Sequence, residues 1–158
     1  MNRIFAIILL SLTIGMATGC TDERRLDGMA TGGAGTLTNI VVNVPREAWQ
    51  YSGLPDNNYF FATVKMPEIT STVYKKGLVK MYRSYDIDNE NSTQMELTYV
   101  RLNEYIYVDN QKGFYTETVD YEFGVGNMSI YYTASDFDYE DDHSFVPEAM
   151  QFRCVILY

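Results

Sequence analysis

Histidine, cysteine and tryptophan are nearly missing from this chain, which has one His, two Cys and one Trp in 158 residues. Each scarcity removes a class of chemistry. His143, in Asp141-Asp142-His143-Ser144, is the one candidate imidazole base. No Gly-x-Ser-x-Gly elbow accompanies it, so a Ser–His–Asp triad has little to stand on. His143 therefore reads as a solvated loop residue. Basic residues are also short, 12 against 21 acidic, for a net charge of −9. Phosphate backbones are held by clustered Lys and Arg, so nucleic acid is not an expected partner. Gly32-Gly33-Ala34-Gly35 has no preceding strand pattern and no following Lys-Thr pair, which leaves it a linker and not a phosphate cradle.

Metal-binding frames are incomplete as well. The densest acidic cluster, at Asp136, Asp138, Glu140, Asp141 and Asp142, lacks the glycine and the distal glutamate of an EF-hand loop. Asp86-Ile87-Asp88-Asn89-Glu90-Asn91 begins like one, but Asn91 stands where the turn glycine belongs and Leu97 where the bidentate glutamate belongs. Solvated acidic loops are the expectation at both places, with calcium at 136–142 an open alternative. No cofactor is expected.

Long apolar runs are rare, and the chain has one. From Ile4 to Ile14 only Ser11 and Thr13 interrupt it, with Arg3 before it and small residues after it. About 11 apolar residues fall short of the roughly 30 Å of hydrocarbon a spanning helix must cross, but they suit a signal peptide. The next residues, Ala17-Thr18-Gly19-Cys20, resemble a bacterial lipobox, with Ala17 where Leu is more usual. The resemblance implies that residues 1–19 are removed and that Cys20 is lipidated and becomes the first mature residue, tying the protein to a membrane. The bland alternative is a plain secretory signal with an incidental cysteine. With Cys20 lipidated, Cys154 has no intramolecular partner and reads as a buried small hydrophobe in Phe152-Arg153-Cys154-Val155-Ile156.

Residues 20–36, polar and then glycine-rich, read as a flexible tether. About 16 such residues reach roughly 20–24 Å. Residues 37–158 read as one folded domain. Fourteen tyrosines and eight phenylalanines favour strands. Strand patterns occur at Ile40–Val44, Tyr59–Lys65, Leu78–Arg83, Met95–Tyr99, Tyr105–Val108, Phe114–Phe123, Asn127–Thr133 and Gln151–Tyr158. Gly124-Val125-Gly126 marks the clearest hairpin. One helical segment is expected between Pro67 and Gly77, with Lys75 and Lys76 in its last turn. The fold class is thus all-β: an antiparallel β-sandwich of seven or eight strands with at most one short helix, a closed barrel being the rival.

Pro67-Glu68-Ile69-Thr70, Gly77, Val79, Tyr115-Thr116-Glu117-Thr118, Tyr121, Ile130 and Phe152 carry a further likeness. From Trp49 to Tyr158 the chain resembles a group of small Bacteroidota lipoproteins. The resemblance implies an extracellular β-sandwich with no established activity and transfers no catalytic residue. Gln94-Met95-Glu96-Leu97-Thr98 departs from that group, whose members tend to have a Leu-Pro-Tyr run there. Asp22 and Glu23, close behind Cys20, resemble the signal by which such lipoproteins are displayed on the outer face.

Aromatic residues are the remaining functional lead. Trp49 and Tyr51 lie in a loop-like stretch, and exposed flat rings stack on sugars or peptides at low entropic cost. The competing and favoured reading of Trp49 is a core plug under the sandwich edge. Of Tyr131 and Tyr132, one must face outward on a regular strand. The function expected on these grounds is a lipid-anchored outer-membrane accessory protein, a binding or structural module for a glycan or an envelope protein, and not an enzyme. The alternative is a small carbohydrate-active hydrolase using loop carboxylates.

Overall fold

Alternation decides the architecture. Phe60, Ala62, Val64 and Met66 are buried while Thr63 and Lys65 are exposed; Met150, Phe152, Cys154 and Ile156 are buried with partly exposed residues between them. A period of two gives each strand one apolar face, and two sheets laid face to face bury those faces together. The computed structural model of the chain describes residues 23–32, 35–52, 58–106, 111–135 and 145–158. The segment 1–19, Cys20, His143 and the acidic cluster 136–142 lie outside the described residues.

Among the described residues run β1 (Glu23–Gly32), β2 (Gly35–Val44), β3 (Gln50–Tyr51), β4 (Phe60–Met66), α1 (Ser71–Lys76), β5 (Leu78–Ser84), β6 (Gln94–Glu96), β7 (Tyr99–Ile106), β8 (Lys112–Gly124), β9 (Gly126–Ala134) and β10 (Met150–Leu157). One sheet has the order β1-β2-β10-β5-β6 and the other β3-β4-β9-β8-β7, every pairing antiparallel. The all-β sandwich is observed, with ten strands among the described residues where the patterns foretold seven or eight.

The three unforeseen features have physical reasons. β3 has two residues, too few to show alternation. β1 occupies most of the stretch read as tether. Its pairing with β2 runs from Glu23↔Asn43 to Gly32↔Gly35, with a register shift between Leu26 and Gly28. Ladder hydrogen bonds are backbone bonds and need no apolar period, so a glycine-containing segment can cover the edge of β2. The tether is accordingly corrected at 23–32 and at 35–36, where β2 has already begun. Finally, Met95–Tyr99 is not one strand: β6 ends at Glu96 in the first sheet, and β7 begins at Tyr99 in the second. The crossing falls at Leu97-Thr98, whose peptide bond is cis.

The core contains Ile40, Val42, Met81 and Phe152 from one sheet and Val64, Val119, Ile130 and Met128 from the other. Each end of the sandwich is closed differently. At one end α1 and the turn before it insert Ile69 and Val73, both fully buried. Thr70 caps the helix, its Oγ1 accepting the Val73 N–H at 3.3 Å. The helix is shorter than the Pro67–Gly77 segment suggested, because Pro67 to Thr70 form the turn that leads into it. Gly77 ends it where a Cβ would lie 2.8 Å from the Val73 carbonyl oxygen. The opposite end, where Arg83, Tyr99, Glu117 and Tyr132 meet and Trp49 packs on Tyr132, is polar and aromatic.

Candidate functional site

Arg83 and Glu117 lie 34 residues apart in sequence, yet β5 and β8 point both side chains between the sheets at the polar end. Arg83 Nη1 donates to Glu117 Oε1 at 2.8 Å, and both side chains are 14% exposed. Tyr99 OH accepts from Arg83 and donates to the same carboxylate oxygen. Tyr132 OH donates to Glu117 Oε2 at 3.4 Å. Burial opposes the Arg83 charge, but the Tyr99 and Glu117 oxygens outweigh it and raise the guanidinium pKa. Burial, then the Glu117 carboxylate, pushes the Tyr99 and Tyr132 phenols well above the ordinary tyrosine range. Every polar group in this cluster faces another member of it, so it fastens the sheets and leaves little chemistry to spare.

Above it opens a cleft of about 610 Å³, within the range of small-molecule sites. Its walls are the turn at Pro45–Glu47 and the start of the turn after β5, at Tyr85 and Asp86; residues 149–151 complete it. Asn43, Gln151 and Ser84 form a polar row across β2, β10 and β5, since Gln151 pairs with Asn43 on one side and Ser84 on the other. Gln151 Oε1 accepts the Ile87 N–H at 3.0 Å, which ties the turn down and leaves the amide NH₂ to donate. Ser84 is buried, and among the described residues its Oγ has no hydrogen-bond partner. Tyr85 is half exposed; the Arg83 guanidinium sits 5.0 Å from its ring centroid and Arg101 Nη1 donates to its hydroxyl at 2.7 Å. Glu47 and Asp86 contribute exposed carboxylates.

The expected stacking residues sit elsewhere. Trp49 is 6% exposed, edge-on to Tyr132 at 6.4 Å, and donates its indole N–H to the Glu148 carbonyl at 3.2 Å. As a ligand-stacking residue it is corrected to the core plug that was the competing reading, because its ring is consumed by packing. Tyr51 is half-buried against Phe60, its hydroxyl donating to Asn58 Oδ1. It lies on the second sheet and does not line the cleft. Tyr131 is the outward member of its pair, on the outer face of the second sheet with Tyr59 and Phe61. Those rings meet Tyr59 at 73° and 60°, so they make no flat platform. Burial and the Glu122 carboxylate, to which its hydroxyl donates, push the Tyr131 phenol up to about 12.

Sequence reasoning missed the cleft residues. One signal was available: Asn43 interrupts the β-branched run Ile40-Val41-Val42-Asn43-Val44, and a lone amide in such a run marks a strand face that meets something polar. Comparison of the chain with protein families, with characterised proteins and with solved structures finds no match. Among the described residues no helix is long and apolar enough to cross a membrane, and no group of three or more His, Cys, Asp or Glu side chains could hold a metal.

Proposed function

We propose that this chain is a lipid-anchored accessory protein of a bacterial outer membrane, of the kind Bacteroidota display. It is held through Cys20 and acts as a binding or structural module for a glycan or an envelope protein. The observation that carries the binding reading is the cleft. It combines a concave wall, a preorganised aromatic and a row of amide and hydroxyl groups on rigid strands, which is the composition of a recognition site. Address rests on the lipobox-like Ala17-Thr18-Gly19-Cys20 and the acidic pair behind it.

A hydrolase reading draws on one observation, that Glu47 and Asp86 both line the cleft. Acid–base chemistry on a glycosidic bond works in a site closed to water, and both side chains are exposed. Binding is therefore the better account. Replacing Cys20→Ala tests the anchor: fatty-acid labelling should vanish and the protein should leave the membrane fraction. Labelling that persists in the variant would sink the assignment.

A further inference from the structure

We infer that the cleft at the polar end binds a neutral saccharide, whose hydroxyls pair with Ser84, Gln151, Asn43 and the Glu47 and Asp86 carboxylates. This rests on the binding reading above and names its ligand class. Hydrogen-bond inventory selects the class. Gln151 offers donors, because its carbonyl oxygen is already taken by Ile87 N–H. Glu47 and Asp86 offer acceptors. Ser84 and Asn43 offer both. A ligand that matches this mixture must itself donate and accept at closely spaced points, as vicinal hydroxyls do. An anion would face two carboxylates, with Arg83 already committed to Glu117 at 2.8 Å. A cation would leave the Gln151 amide donors unmet.

Ser84 supplies the second observation. It is 3% exposed, lines the cleft, and its Oγ has no partner among the described residues. Such a group normally costs stability and is retained for a reason; a ligand hydroxyl supplies the missing partner. The polar row crosses two strand spacings, about 10 Å, the length of one to two sugar rings. Tyr85 provides an apolar wall whose position Arg83 and Arg101 fix.

The anchor bears on the source of the sugar. β1 enters its ladder at Glu23, paired with Asn43 in the cleft, and Glu23 is three positions after Cys20. Three residues span at most about 10 Å. A lipidated Cys20 therefore holds the cleft near the membrane surface, where the saccharide can be a glycolipid headgroup or a free oligosaccharide.

The intact chain should be tested on an array of neutral oligosaccharides, with uronate and sulfated oligosaccharides alongside, and the best neutral binder titrated by calorimetry. Ser84→Ala should weaken that binding about fivefold to tenfold, the effect of one hydrogen bond, while the thermal midpoint stays level or rises. Asp86→Asn should weaken it too, and Tyr131→Ala, on the other sheet, should not. Neutral glycolipid in phosphatidylcholine vesicles forms the second arm; binding in either arm supports the cleft, and the tighter arm names the source. Preference for anionic sugars would overturn the inference, as would loss of binding in Tyr131→Ala with Ser84→Ala unaffected; the binding module survives both. Capture of an envelope protein with no saccharide bound would overturn the ligand class alone. Release of new reducing ends, or no ligand of either kind, would overturn both readings.

Discussion

The two ends of the sandwich solve one problem in opposite ways. The α1 end is closed by apolar volume: Ile69 and Val73 are fully buried beside Met66, Met128 and Ile156. The other end is closed by Arg83, Glu117, Tyr99 and Tyr132 joined through hydrogen bonds. Apolar closure stabilises in proportion to area and does not depend on direction. Ionic closure gains little net stability but fixes geometry, because one missing partner strands a charge. The difference teaches where function can reside. A cleft needs walls in set positions, and it opens at the end whose closure is directional.

The largest effect should come from the apolar end. Ile69→Ala removes fully buried volume from a plug that α1 and β9 hold in place, the Gly126 N–H donating to the Ile69 carbonyl at 2.9 Å. The expected loss is about 2–5 kcal/mol, measured by denaturant unfolding. Affinity at the cleft should be unchanged in the folded fraction. A variant that unfolds little but alters ligand affinity would break the division between the ends.

Glu117→Ala should act the other way round. It leaves Arg83 and two phenols without their shared acceptor, at a cost of about 2–3 kcal/mol, less than a fully enclosed pair because both side chains keep some solvent contact. Arg83 also lines the cleft, so this variant should lose ligand affinity as well as stability. The double variant Arg83→Met/Glu117→Leu sharpens the contrast. Stability should return toward that of the parent, since an apolar pair replaces a buried ionic one, while affinity should not return. Recovery of both would mean that the ion pair has no positioning role.

The comparison also explains what was legible in the sequence. β4, β5 and β10 were legible because Phe60 to Met66, Leu78 to Ser84 and Met150 to Leu157 alternate, and alternation is a local consequence of one buried face. The β8–β9 hairpin was legible from its glycines, Gly126 having a φ of +82°. Edges were not. In β7, Arg101, Asn103 and Glu104 hide the strand, since an edge strand can keep polar groups in solvent on both faces. β1 hid behind its glycines. The polar end was illegible for a different reason: Arg83 and Glu117 meet only when two sheets pack, and no local pattern records a partner 34 residues away. Trp49 was legible as a large ring, but whether it faced a ligand or the core depended on Tyr132 and Glu148 being there to receive it.

The smallest effect at neutral pH, and the most selective one, is alkaline. Tyr99 and Tyr132 have pKa values raised by burial and by Glu117, and Tyr121 has one raised by burial. A raised folded pKa means that the native state holds the proton more tightly than the unfolded chain. Its contribution is fully present below the unfolded tyrosine value of about 10 and is lost as pH rises above it. Lys80, whose pKa is raised by its bond to Glu96, works in the same direction. Denaturation midpoints should therefore be level from neutral pH to about 9 and fall beyond about 10. Tyr99→Phe and Tyr132→Phe together should flatten much of that fall, leaving the parts due to Tyr131, on the outer face of the second sheet beside Glu122, and to Tyr121, which lies nearer the α1 end with its hydroxyl on the Val79 carbonyl at 3.1 Å. If the double variant kept the full slope, the alkaline sensitivity would belong to Tyr121 and Tyr131, outside the polar cluster. The polar cluster would then be fastening the sheets without controlling when they part.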